Sequence, residues 1–105
     1  MNREQLLRQI HHRLRDAFRD RLHGLVLYGS EARKEAAGDS DIDLLVLLDE
    51  PVDLWRDLRT AIHALYELQL EIDRPIHAIP VAATAFQTGK YALYREAKKE
   101  DYYQY

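Results

Sequence analysis

Two short apolar segments, Leu25-Val26-Leu27-Tyr28 and Leu44-Leu45-Val46-Leu47-Leu48, restrict the folding of this 105-residue chain more than any other feature. The second does not alternate between apolar and polar. A strand with one wet face alternates, so this run is expected to be a strand buried on both sides. Between the segments lies Gly29-Ser30-Glu31-Ala32-Arg33-Lys34-Glu35-Ala36-Ala37-Gly38-Asp39-Ser40-Asp41-Ile42-Asp43. It reads as a glycine-serine turn, a short helix over 31–37 stopped by Gly38, and two carboxylates opening the second strand.

The remaining elements must supply the cover. Residues 3–22 carry Leu6, Leu7, Ile10, Leu14, Phe18 and Leu22 at three- and four-residue spacings, which predicts an amphipathic helix. Its outer face holds Arg3, Arg8, Arg13, Arg15, Arg19 and Arg21, either solvated and partly paired with Asp16 and Asp20 or an electrostatic docking face for an acidic partner. His11, His12 and His23 are expected at the surface. Gly24 is placed at the position after the helix, and the first strand covers 25–28. The second strand runs from about Asp41 to Leu48.

Pro51 suits the first turn of a further helix reaching about Leu70. Its buried stripe is predicted as Trp55, Leu58, Ile62, Leu65 and Gln69, flanked by Tyr66 and Leu68. Pro75 and Pro80 bracket a third strand, Ile76 to Ile79. Residues 83–88 form a short turn or helix, Lys90 to about Glu100 a last helix, and residues 101–105 a loose tail. The order gives an α/β sandwich around one small sheet, a single domain over residues 1–105.

Composition excludes several classes of function. The net charge of −3 offers no general case for nucleic-acid binding, and the absence of cysteine removes disulfides and thiolate metal sites. With 47% hydrophobic and 31% charged residues the chain reads as globular. No apolar run approaches the roughly 18 residues of a membrane span. The arginine-rich start is interrupted by Glu4, Asp16 and Asp20, unlike a transit peptide, so a cytoplasmic location is expected.

The chemistry concentrates in the central stretch. In a strand Asp41 and Asp43 point to the same face, their Cα atoms about 6.6 Å apart. Two carboxylates at that range repel by roughly 3 kcal/mol at an effective dielectric of about 20, a cost that a bound Mg²⁺ removes. Gly29 lets a ligand approach the backbone, and Ser30 offers a hydroxyl at a helix N-terminus, where free N–H groups attract anions. Ser30 can equally be a plain cap, although its third following residue is Arg33 and not the Glu of a capping box. Arg33 is instead a cation available to a phosphate. Phosphate on one side and a divalent metal on the other describe a nucleoside-triphosphate site, with in-line attack on a phosphoryl group and departure of pyrophosphate.

Gly29-Ser30, ten intervening residues and Asp41-x-Asp43 resemble the signature of the nucleotidyltransferase superfamily of the DNA polymerase β type. Leu27 to Arg33 and Ser40 to Val46 are similar to the minimal nucleotidyltransferase (MNT) proteins, and Leu70 to Pro80 is similar to that family's third strand. The resemblance implies a small mixed sheet of about three strands flanked by helices. It implies that Gly29 and Ser30 hold the triphosphate of ATP and that Asp41 and Asp43 bind Mg²⁺. Active members carry a third carboxylate on the third strand, where this chain has His77. Histidine is a poor Mg²⁺ ligand, and two readings remain for it: the general base for an acceptor hydroxyl, or a structural residue. Glu71 and Asp73 are the alternative acids.

MNT proteins are similar to the antitoxins of HEPN–MNT toxin–antitoxin pairs. The resemblance implies a HEPN ribonuclease toxin as partner and AMP transfer to a toxin tyrosine. The alternative is a non-catalytic antitoxin that neutralises by complex formation. Tyr91, Tyr94, Tyr102, Tyr103 and Tyr105 suit a protein interface, or else belong to a core helix and its tail. Arg56 and His63 match the Arg-x(4–6)-His motif of the HEPN toxins, but those are all-helical and the two strands argue against that fold.

Overall fold

The computed structural model describes residues 2–28, 41–91 and 95. The chain forms α1 (Arg3–Phe18), a 3₁₀ turn (Arg19–Arg21), β1 (Leu22–Tyr28), β2 (Ile42–Leu48), α2 (Leu54–Glu71), β3 (Ile76–Ala82) and α3 (Ala83–Thr88). The short helix expected over 31–37 and the tail lie outside the described residues, as does most of the helix expected over 90–100.

The sheet is mixed, in the order β1-β2-β3. β1 runs antiparallel to β2, pairing Tyr28 with Asp43, and β3 runs parallel to β2, pairing Asp43 with His77. The central position of β2 accounts for its unbroken apolar run. Leu44, Val46 and Leu48 pack under α1 and α2 with Leu6, Leu7, Ile10, Leu14 and Phe18. Leu45 and Leu47 face the other way, against Val26, Val81, Ala83 and Phe86. Each fully buried branched side chain contributes about 1.5–3 kcal/mol, so the strand is fixed from both faces.

Four sequence expectations are corrected. The first helix ends at Phe18 and not at residue 22, because Arg19 takes a positive φ of 52° and turns the chain. Gly24 then lies inside β1, beside a bulge between Leu22 and Gly24, and does not terminate a helix. The arginines of α1 and the following turn reach Glu4, Glu67 and Asp57, while Asp16 is paired with His12. Pro80 lies within β3 and does not end it. The Ile42 N–H donates to the Pro75 carbonyl at 2.8 Å, which turns the odd-numbered peptide groups of β3 toward β2. Pro80 therefore aims its missing N–H at the open edge, where none is needed.

The largest correction concerns α2. It starts at Leu54, with Asp53 accepting from the Arg56 N–H, and Pro51 lies ahead of it. Its buried face is Asp57, Ala61, Leu65 and Leu68. Trp55, Ile62 and Tyr66, expected inside, are 70, 57 and 59% exposed. Asp57 takes the core side because Arg21 meets it there. The Arg21 guanidinium donates through Nη1 at 3.0 Å and Nη2 at 2.9 Å to the two carboxylate oxygens, and the Asp53 N–H adds a third bond. The Arg21 hydrogen bond beside it holds the Asp57 carboxyl down at about 2.

Candidate active site

β1 ends at Tyr28 and β2 begins at Ile42, so both ends of the stretch carrying Gly29 and Ser30 are anchored at one edge of the sheet. Gly29, Ser30 and Arg33 themselves lie outside the described residues. At that edge the register sets Tyr28, Asp43 and His77 side by side across three strands. Successive strand residues alternate, so Asp43 leaves the α1–α2 face to Ile42 and Leu44 and shares its own face with Leu45 and Leu47.

Asp41 immediately precedes β2 and reaches the same point: His77 Nε2 lies 3.0 Å from Asp41 Oδ2. A carboxylate only accepts, so Nε2 carries the proton in this bond. The expectation that Asp41 and Asp43 share a neighbourhood is met, and His77 stands with them. Glu71 closes α2 and Asp73 follows in the turn; neither pairs with Asp41 or Asp43 among the described residues.

Burial pushes the Asp43 carboxyl above its ordinary value; His77 opposes this and Asp41 adds to it. Tyr28, half-buried, is raised by burial and by Asp43 beside it. Tyr28 is the neighbour that sequence reasoning missed as part of the site. The signal was its position, two residues after the buried Val26 and directly before the glycine-serine turn.

Among the described residues no three acidic or histidine side chains form a ready metal cage. Two carboxylates nonetheless fit Mg²⁺, which keeps several waters and is commonly held by one or two carboxylates together with substrate phosphates. The donor set agrees: hard oxygen ligands, one of them in a raised carboxyl that a cation would relieve.

The three-stranded mixed sheet, with the two aspartates at one end of its central strand, is the arrangement that the resemblance to nucleotidyltransferases implies. The chain belongs to the nucleotidyltransferase domain family, whose model matches residues 7–103. It is 33% identical over 66 residues to a Methanocaldococcus jannaschii protein called "Putative protein adenylyltransferase", an alignment covering 63% of this chain. The match spans 66% of that relative, just under two thirds of its length. Among solved structures, a toxin–antitoxin crystallised with AMP-PNP aligns over 92% of this chain and 69% of its own, with a TM-score of 0.60 and 21% identity. A "putative nucleotidyltransferase" from Sulfolobus solfataricus aligns over 80% of this chain and 70% of its own, with a TM-score of 0.55 and 20% identity. These structural likenesses establish the shared fold, and the mixed three-stranded sheet expected from the sequence is part of it.

Proposed function

We propose that residues 1–105 are one minimal nucleotidyltransferase domain, acting in the cytoplasm as the antitoxin of a HEPN ribonuclease toxin. It transfers AMP from ATP to a tyrosine hydroxyl of that toxin. The observation that carries this reading is the meeting of Asp41, Asp43 and His77 where the chain leaves and re-enters the sheet around Gly29-Ser30. The AMP-PNP of the toxin–antitoxin neighbour and the adenylyltransferase name of the curated relative support it.

In this reading Gly29, Ser30 and Arg33 receive the triphosphate, and Asp41 and Asp43 hold Mg²⁺. The ion, when bound, neutralises charge on the phosphates. Asp43 is positioned by strands on both sides, so its carboxylate needs little reorganisation to serve. His77 Nδ1 takes the proton of the acceptor hydroxyl, whose oxygen attacks the α-phosphorus while the bond to pyrophosphate breaks. Asp41, bonded to Nε2–H, fixes the ring for that role and stabilises the imidazolium that results.

The test is to incubate the chain with ATP, Mg²⁺ and the HEPN partner and to weigh the partner intact. Addition of one AMP mass that disappears in Asp41→Ala/Asp43→Ala supports the reading; no addition refutes it. A second reading rests on His77 itself, which stands where active members place a carboxylate and is already bonded to Asp41. There the chain neutralises its partner by covering it, and Asp41→Ala/Asp43→Ala still neutralises.

A further inference from the structure

The exposed side of α2 is an apolar ridge with a groove beside it. Trp55, Ile62 and Tyr66 fall nearly in line along the helix, at spacings of seven and four residues. Below them Leu58, Leu65, Gln69 and the β3 residues Ile76 to Ile79 line a depression of about 330 Å³. The ridge and Leu70 leave on the order of 500 Å² of large apolar side chain in water, more than scattered surface residues account for. Strand addition at the neighbouring edge of β3 is blocked. Gln69 Oε1 takes the Ile76 N–H at 2.9 Å and Pro80 has none, so Ala78 is the one donor left between them. The ridge is shaped for a helix.

We infer that the occupant is α2 of a second copy, packed antiparallel about a two-fold axis near His63. Charge decides this. Arg59 and Glu67 lie four residues either side of His63, on the flank of the ridge. Arg59 is exposed and has no ion pair among the described residues, and Glu67 is exposed with only a 3.4 Å contact to Arg13. An antiparallel two-fold pair brings Arg59 of each copy level with Glu67 of the other, on the same flank. A parallel two-fold pair would put the two copies of Arg59 at one level and the two of Glu67 at another, on opposite flanks, so that neither meets its counter-charge. The antiparallel arrangement also sets Ile62 beside its own copy at the axis and brings Trp55 over the partner's Leu70. The apolar ridge is smaller than the roughly 800 Å² per partner of a standard complex, so the dimer is expected to form reversibly with concentration.

The experiment is sedimentation of the full chain over a range of concentrations, alongside Ile62→Asp, Arg59→Glu, Glu67→Arg and the double variant Arg59→Glu/Glu67→Arg. Circular dichroism of each checks the fold, which these exposed positions do not hold. A monomer–dimer equilibrium is expected in the parent, abolished by Ile62→Asp. Each single charge reversal raises the dissociation constant roughly tenfold, and the double reversal restores it. A parent chain that stays monomeric throughout overturns the inference, whether or not a different protein binds the ridge. So does a dimer indifferent to Ile62→Asp, or charge reversals whose effects add in the double variant.

Discussion

Arg21 and Asp57 are 36 residues apart in the chain and locked together by two parallel hydrogen bonds, Nη1 to Oδ1 at 3.0 Å and Nη2 to Oδ2 at 2.9 Å. The pair ties the turn after α1 to the first turn of α2, and Arg21 also donates to the Pro51 carbonyl at 2.9 Å. Asp57 is 1% exposed, so removing its cation leaves a buried charge with fewer donors. Arg21→Met is expected to destabilise the fold by about 2–3 kcal/mol, read as a lower urea midpoint at unchanged slope. Replacing both residues, as Arg21→Met/Asp57→Leu, is expected to recover most of that loss.

The same pair sets an acid limit. The folded carboxyl of Asp57 titrates at about 2, against an ordinary value of 3.8. A depressed carboxylate stabilises the fold fully above the unfolded value and loses that contribution as pH falls through the folded one. About 2 kcal/mol is therefore expected to vanish between roughly pH 4.5 and 2. Urea titrations at stepped pH will show it, and Asp57→Asn will flatten that part of the profile.

Asp43 presents the opposite sign. Its carboxyl is raised by burial and by Asp41, so ionisation at neutral pH opposes folding. Asp43→Asn is expected to raise stability slightly while abolishing transfer activity. Thermal melts and intact-mass assays on one preparation measure both effects.

Mg²⁺ alone, without nucleotide, is expected to raise the melting temperature. At tenfold excess over the dissociation constant the stabilisation is about 1.4 kcal/mol, and Asp41→Ala/Asp43→Ala removes it. An unchanged melt in the parent chain at millimolar Mg²⁺ would count against the two carboxylates as ligands.

His77 separates the catalytic reading from the covering one. His77→Ala is expected to lower the rate of transfer by about 10²–10³-fold with ATP affinity little changed. Equal rates in parent and variant would assign His77 a structural place only.

Local pattern carried much of this fold into view, and its failures share a cause. β2 was legible because burial on both faces leaves an unbroken run, Leu44 to Leu48, in the sequence itself. The buried face of α2 was not, because hydrophobicity ranks Trp55 and Ile62 above Asp57, and only the distant Arg21 reverses that order. Pro80 was misplaced for a similar reason: whether a strand tolerates proline depends on which neighbour it lacks, a property of the sheet and not of residues 76–82. In the site, the period of two brought Asp41 and Asp43 together from sequence alone. His77 was located by resemblance to a third strand, and its bond to Asp41 depends on the β2–β3 register. Tyr28 needed the β1–β2 register as well.

That register has a consequence of its own. Asp43 is flanked in β2 by Ile42 and Leu44, both buried on the opposite face. A slip of a single residue against β1 or β3 would swing the carboxylate toward the α1–α2 core and exchange the leucines between two cores, each packed for the other set. Misaligned molecules would thus lose the acidic site and their stability in the same step.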